Sequence, residues 1–264
     1  MFLKDGHIHT PFCPHGTNDR FESYVEKAIA LGFREMTFTE HAPLPNGFTD
    51  TTPNQDSAMQ QEELNRYFAK IEELKIKYAD KITILSGLEV DFIEGFEEDL
   101  TDFLNEVGEH LDDAILSVHF LKNGEQYDCI DYSPEVFQKM ILDYGSLASV
   151  YKKYFETLQM SIAADLGLHK PKRIGHITLV QKFQKRFPVP YDLGPELKQI
   201  LSAIKAKGYE LDYNGAGTAK PLCRETYPPL WVAKKAKQLG IPLVYGSDAH
   251  QVKELGQGLK LMTW

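Results

Sequence analysis

The chain has 264 residues, of which 38 are acidic and 29 are basic, so its formal net charge at pH 7 is −9. Hydrophobic residues make up 42% of the sequence and charged residues 25%, which is typical of a globular enzyme and excludes a disordered chain. The acidic balance argues against a protein that binds long stretches of nucleic acid. No apolar run approaches the ~18 residues of a membrane span.

The N-terminal sequence and the cysteines indicate in which cellular compartment the protein is expected. The N-terminal sequence MFLKDGHIHT has no basic region followed by an apolar segment, so we expect no secretory signal. The three cysteines, Cys13, Cys129 and Cys223, are too few and too scattered for a disulfide framework. Free thiols and a cytoplasmic location are therefore expected. Cys13 stands apart from the other two because a histidine follows it by two positions.

Short apolar stretches alternate with longer helical patterns along the whole chain. Strands are predicted at Leu3–His9, Glu35–Thr39, Ile82–Val90, Asp113–His119, Arg173–Ile177, Tyr209–Tyr213 and Leu243–Ser247. Helices are predicted at Asp19–Leu31, Gln60–Tyr78, Glu97–His110, Pro134–Leu166, Glu196–Lys207 and Leu230–Leu239, with a break at Gly145. This alternation favours an α/β protein with a parallel sheet, folded as one barrel-like domain over residues 1–264. A doubly wound open sheet is the alternative, because seven strands are one fewer than a regular eightfold barrel has.

Three connections are longer than the ~2–6 residues that are usual between strand and helix. They are Ala42–Met59, Phe120–Ser133 and Asn214–Pro229, and each follows a strand. Because sites in parallel α/β folds lie at the carboxyl ends of the strands, we expect these loops to shape a pocket, with 42–59 able to close over it.

Histidines and two acids gather at these strand ends. Seven of the nine histidines lie at or just after a predicted strand, and Glu89 and Asp248 end two of the strands. One histidine near a strand is usually a hydrogen-bonded core residue, but this convergence indicates a metal site. Imidazole and carboxylate suit zinc, manganese or iron, and nine ligands exceed one tetrahedral ion. The set is His7, His9, His15, His41, His119, His176, His250, Glu89 and Asp248; His110 and His169 fall outside it.

The motifs occur in a recognisable order. They are DGHIHT at 5–10, PHG at 14–16, TEH at 39–41, GLEVD at 87–91, SVHF at 117–120, GHI at 175–177 and GSDAH at 246–250. Together they resemble the PHP (polymerase and histidinol phosphatase) family over the whole chain. The runs KPKRIGHITLVQKF and LDYNGAGTAKPLCRETYPP are similar to the branch that acts on L-histidinol phosphate. The resemblance implies a distorted seven-stranded (β/α)7 TIM-like barrel with three divalent metal ions, zinc first and Mn2+ or Fe2+ as alternatives.

The resemblance also implies a ligand set and a reaction. It assigns His7, His9, Glu89 and Asp248 to a first ion, Glu89, His119 and His176 to a second, and His15, His41 and His250 to a third. The implied reaction is hydrolysis of L-histidinol phosphate to L-histidinol and inorganic phosphate by a hydroxide that bridges metal ions. Asp248 or His250 would handle the proton of the leaving group.

Five further residues are candidates for substrate binding. Arg224 could clamp the phosphate, with Lys220 in the same loop a weaker candidate. Phe120 could stack on the substrate imidazole, Asn214 could hydrogen-bond the substrate, and Glu40 could meet its amine. Each also has a structural interpretation: a surface charge for the two cations, packing for Phe120, a turn cap for Asn214 and a ligand-orienting carboxylate for Glu40.

Two other functions fit the same ligands. A related phosphoesterase could act on nucleotides or on DNA 3′ ends, although the acidic charge disfavours DNA. A non-catalytic zinc-binding protein is the second alternative, and three long loops at the open end of the sheet disfavour it. The expected partners are thus a small phosphate ester and its phosphate product, with neither nucleic acid nor membrane.

Overall fold

A computed structural model describes residues 3–189 and 191–262 of the chain. The strands, in chain order, are β1 (Lys4–Ile8), β2 (Glu35–His41), β3 (Thr83–Asp91), β4 (Asp113–Ser117), β5 (Phe120–Asn123), β6 (Gln126–Cys129), β7 (Arg173–Ile174), β8 (Glu210–Asn214) and β9 (Leu243–Gly246). Seven of them form one sheet in the order β1-β2-β3-β4-β7-β8-β9, and every pair in it is parallel. All seven predicted strands are therefore confirmed.

The helices cover this sheet from outside. They are α1 (Phe21–Ala30), α2 (Leu64–Lys77), α3 (Glu97–Val107), α4 (Pro134–Asp143), α5 (Leu147–Ala163), α6 (Gly194–Lys207) and α7 (Leu230–Gln238). The predicted break at Gly145 is confirmed, since α4 ends before it and α5 begins after it. Ser133 starts α4 by accepting a hydrogen bond from the amide of Val136 at 3.1 Å, ahead of Pro134 in the first turn. Among the described residues, no helix combines the length and apolar character that a membrane span requires.

The sheet closes where its first and last strands meet. Beyond the end of β9, the amide of Asp248 donates to the carbonyl of His7 at 2.7 Å, and the amide of His9 donates to Ala249 at 3.0 Å. Gly246 makes this approach possible, because a Cβ there would lie 2.5 Å from the Cβ of His7. The seven strands thus form a nearly closed barrel, and the alternative of an open sheet is wrong. The single-domain organisation stays a prediction.

Charged side chains fill the opposite, amino-terminal end of the barrel. Arg173 at the start of β7 is 2% exposed; it donates to the carbonyl of Gly6 at 2.8 Å and pairs with Asp113 at the start of β4. Lys4 reaches the same carboxylate at 3.3 Å. The guanidinium holds the pKa of Asp113 below its usual range, although burial acts in the opposite direction. This ion-pair network therefore ties β1, β4 and β7 together at the end remote from the predicted site.

The connection after β4 contains structure that the sequence analysis treated as a loop. Phe120–Asn123 and Gln126–Cys129 pair as an antiparallel hairpin. Gly124 in its turn has φ of 62°, a conformation that favours glycine. The dipeptide Asn123-Gly124 is a strong hairpin signal and could have predicted this element.

Arg173→Met should destabilise the barrel by about 3 kcal/mol, because breaking a buried ion pair leaves the Asp113 carboxylate without its main partner. Urea unfolding followed by circular dichroism measures this change in the free energy of unfolding. Arg186→Met is the matched control: its partner Glu135 is 72% exposed, so its loss should cost less than about 1 kcal/mol. Equal costs for the two variants would contradict the structural role of Arg173.

Candidate metal centre

The carboxylate of Glu89 lies at the centre of the site. Glu89 is near the end of β3, is 2% exposed and accepts a hydrogen bond from the hydroxyl of Ser117 at 2.6 Å. Five imidazoles surround it. Its oxygens lie 3.2 Å from His7 Nε2, 3.4 Å from His9 Nε2, 3.3 Å from His41 Nδ1, 2.8 Å from His176 Nε2 and 3.8 Å from His119 Nε2.

The remaining predicted ligands lie on the solvent side of this inner cluster. Asp248 places Oδ1 3.1 Å from Nε2 of His9. The ring of His250 stacks on His9 with 3.9 Å between centroids, and the exposed ring of His15 lies 4.9 Å from His250. The structure thus brings all nine predicted ligands to the carboxyl ends of the strands. Exposure increases from fully buried His7 to exposed His15.

The polar atoms at this site fit metal ions. Both ring nitrogens of His41 and Nδ1 of His176 are buried and have no hydrogen-bond partner among the described residues. Buried polar atoms without partners are rare, and a bound ion would satisfy them. Ligand atoms lie within 4.8 Å of one another in three groups: His7, His9 and Glu89; Glu89, His119 and His176; and His9, Cys13, His41 and His250. Nitrogen and oxygen donors in this arrangement suit zinc, manganese or iron.

The protonation of the cluster follows from its burial and charges. Burial and the adjacent His9 hold the pKa values of His41 and His250 well below the usual 6.5, so both rings are neutral and can donate a lone pair. Burial also lowers the pKa of His9, but hydrogen bonds to Asp248 and Glu40 outweigh it and raise this pKa to about 9. Because an imidazole binds a metal ion in its neutral form, metal binding at His9 would be coupled to pH.

Three carboxylates hold the outer nitrogens of ligand histidines. Asp212 Oδ2 lies 3.0 Å from His7 Nδ1, Asp91 Oδ1 lies 2.7 Å from His119 Nδ1, and Glu40 Oε1 lies 3.3 Å from His9 Nδ1. Such carboxylates fix the tautomer and orientation of a ligand imidazole. The sequence analysis missed Asp91 and Asp212. Each lies two positions from a predicted site residue on the same strand, and that spacing puts both side chains on one face.

Two predicted substrate-binding residues instead contact the ligands. Glu40 is fully buried and accepts hydrogen bonds from both the amide and the hydroxyl of Thr10, at 2.8 and 2.5 Å. Asn214 donates to Asp212 and to Asp248, at 3.1 Å each. Asn214 also caps a turn, since its Oδ1 accepts from the amide of Ala216 at 2.9 Å. Both residues thus have the contacts expected of their structural alternatives: a turn cap for Asn214 and a carboxylate beside a predicted ligand for Glu40.

Phe120 and Arg224 lie away from the position expected of them. Phe120 is 1% exposed and packs against Ile93 and Cys129, with the ring of Phe48 edge-on at 5.1 Å. Arg224 is exposed and directs its guanidinium at the carbonyls of Thr218 and Ala219, at 3.5 Å. Neither is among the described residues that line the pocket. The backbone explains both cases: hairpin pairing turns Phe120 inward, and a φ of 66° redirects Arg224.

A pocket of about 540 Å³ opens over the ligands. Lys182 and Lys220 supply positive charge on its wall, and Lys182 pairs with Asp131 at 2.9 Å. The sequence analysis did not select Lys182, although it lies six residues after His176 in the QKF run. This pocket combines a carboxylate–imidazole floor with two lysines on its wall, and Asp56, Asp131 and Glu254 also line it.

His110 and His169 lie outside the cluster, as predicted. His110 stacks on Phe68 with 5.4 Å between ring centroids. His169 packs against Gly108, where a Cβ would lie 2.0 Å from the imidazole ring. Both rings therefore have packing partners near the end of α3.

The fold and site together define an α/β-barrel protein with a multi-histidine, metal-type site at the carboxyl ends of its strands. The PHP domain family matches residues 5–216. The chain therefore belongs to the PHP family.

Proteins similar over nearly the whole length are described as histidinol-phosphatases. The chain is 49% identical over 260 residues to the histidinol-phosphatase of Bacillus subtilis, covering 97% of this chain and 96% of that one. A crystal structure of a candidate histidinol phosphatase from Listeria monocytogenes superposes with a TM-score of 0.95 at 42% identity, covering 98% and 100% of the two chains. The histidinol phosphate phosphatase of Lactococcus lactis, solved with zinc, L-histidinol and phosphate, has a TM-score of 0.71 at 23% identity, with 95% and 87% covered. At 23% identity, the similarity to the Lactococcus lactis structure shows only that the two chains share a fold.

Asp212→Asn should weaken metal affinity about 10- to 100-fold, because the imidazole of His7 loses the carboxylate that orients it. Competition with a chromophoric zinc chelator measures this affinity. Asp102→Asn, an exposed substitution on α3, should leave the affinity unchanged. Identical affinities for Asp212→Asn and the parent would show that this contact does not support the site.

Proposed function

We propose that the chain hydrolyses L-histidinol phosphate to L-histidinol and inorganic phosphate. The observation that carries the proposal is the single pocket floor formed by Glu89, Asp248 and the surrounding imidazoles, with lysines above it. The Bacillus subtilis enzyme, 49% identical over nearly the full length of both chains, supports the substrate. The L-histidinol and phosphate bound in the Lactococcus lactis structure agree with it.

We further propose three divalent metal ions, zinc first. His7, His9, Glu89 and Asp248 would hold one ion; Glu89, His119 and His176 a second; and His15, His41 and His250 a third. The zinc in the Lactococcus lactis structure supports this choice of metal. When bound, such ions neutralise phosphate oxygens and lower the pKa of water, which supplies hydroxide at neutral pH.

The side chains of the pocket would position the substrate. Lys182 and Lys220 place ammonium groups on the wall, where they can meet a phosphate dianion. Asp131, beside Lys182 at 2.9 Å, offers a carboxylate to the ammonium group of the substrate. Asp248 and His250 lie at the border between the buried cluster and the open pocket, where either could relay a proton from water to the leaving alkoxide.

Phosphate release by the purified chain tests the proposed function. L-histidinol phosphate would be compared with simple phosphomonoesters, nucleotides and single-stranded DNA, with metal content measured on the same sample. We expect a strong preference for L-histidinol phosphate and about three metal ions per chain. Preference for a nucleotide or DNA would move the chain to the other phosphoesterase class, and bound metal without hydrolysis of any ester would identify a zinc-binding protein.

Glu89→Gln should lower kcat/KM more than about a hundredfold and reduce bound metal, because the neutral amide cannot balance the charge of neighbouring ions. Asp248→Asn should act in the same direction. Phosphate release, metal analysis and circular dichroism together check this expectation. An unchanged spectrum with lost metal supports the assigned site, whereas full activity in either variant would remove that residue from the metal centre.

Lys182→Met should raise KM for L-histidinol phosphate about 10- to 100-fold, since a hydrogen bond to a charged group contributes about 1.5–3 kcal/mol. Arg224→Met is the control and should leave KM unchanged, because that guanidinium faces backbone carbonyls outside the pocket. Steady-state kinetics on both variants separate the two cations. The opposite ranking would place the phosphate beside Arg224.

A further inference from the structure

Cys13 is a buried thiol next to the site, and the proposed reaction does not use it. It is 5% exposed and lies in the loop that follows β1. Its sulfur lies within 4.8 Å of ring nitrogens of His9, His41 and His250, so these four ligand atoms form one compact group. The loop is held by its own backbone, with the amide of Cys13 donating to Thr10 at 3.0 Å and the amide of Gly16 donating to Cys13 at 3.0 Å.

A second observation points to a ligand at this group. His41 is 7% exposed, and neither of its ring nitrogens has a hydrogen-bond partner among the described residues. One of these nitrogens lies within 4.8 Å of the sulfur of Cys13. Among the described residues of this group, only His41 has buried ring nitrogens without hydrogen-bond partners, and a metal ion would satisfy one of them while binding the sulfur of Cys13.

The other two cysteines have different surroundings. The thiol of Cys129 donates to Oδ1 of Asp131 at 3.3 Å, and the thiol of Cys223 donates to the carbonyl of Glu225 at 3.7 Å. Both sulfurs thus have hydrogen-bond acceptors. Only Cys13 joins a group of possible metal ligands among the described residues.

We propose that Cys13 supplies a sulfur ligand to the metal position formed by His41 and His250. When the metal–sulfur bond forms, the thiol releases its proton to solvent, and the sulfur keeps the electron pair that it donates to the ion. A thiolate is a softer ligand than carboxylate or water. This position should therefore favour zinc or cobalt over manganese and magnesium, while positions of nitrogen and oxygen alone discriminate less.

Cobalt replacement tests the proposal independently of catalysis. The chain is stripped of metal by a chelator, reloaded with Co2+ and examined by near-ultraviolet absorption, where a cobalt–thiolate bond gives a charge-transfer band. We expect the band in the parent chain, its loss in Cys13→Ser and its retention in Cys129→Ser and Cys223→Ser. After zinc reloading and dialysis, Cys13→Ser should retain about one zinc ion fewer per chain than the two controls.

Two results would overturn the sulfur ligand: a cobalt-loaded parent without the band, or a band that survives in Cys13→Ser. Should Cys13→Ser fail to fold, the double variant Cys129→Ser/Cys223→Ser decides the question, because Cys13 is then the only thiol among the three cysteines of the sequence. A band in that variant supports the proposal, and its absence refutes it. Since the readout is spectroscopic, its outcome does not depend on which phosphate ester the chain hydrolyses.

Discussion

The carboxylate of Glu89, at the centre of the imidazole cluster, is only 2% exposed, so bulk water hardly screens its charge. Burying an ionised carboxylate is costly unless other groups compensate it. Here the charges of His7 and His119 hold the pKa of Glu89 well below its usual range, although burial alone would raise it. Five imidazoles from several strands meet at this carboxylate because those strands run parallel and curve into a nearly closed barrel. The architecture and the site therefore impose the same requirement.

The two ends of the barrel contain different groups: a stabilising ion pair at the amino-terminal end and the predicted metal ligands at the carboxyl end. Arg173 and Asp113 pair at the amino-terminal end, and neither residue is among the described residues that line the pocket. Parallel barrels place stabilising residues at the bottom face and reacting residues at the top in the same way. A change at one end can thus alter the free energy of unfolding while leaving the ligands in place.

The sequence could predict what periodicity and strand position determine. The strands, the break at Gly145 and the convergence of nine predicted ligand residues all follow from local patterns. The direction of a loop side chain does not, because tertiary contacts decide it: hairpin pairing turns Phe120 into the core, and a positive φ turns Arg224 toward carbonyls. Asp91 and Asp212 were equally hidden, since an acid near a ligand becomes an orienting group only when the imidazole lies within hydrogen-bond distance.

An aromatic contact joins two of the long loops and should restrict which ring substitutions related proteins can accept. Phe48, from the loop after β2, packs edge-on against Phe96, Phe120 and Tyr127, at 5.1 to 5.4 Å. The loop that carries Asp56 and the hairpin after β4 are thereby joined outside the barrel. Lineages that change the size of one of these rings must compensate at another. Substitutions at the four positions should accordingly be inherited as sets, and covariation among related sequences would record that coupling.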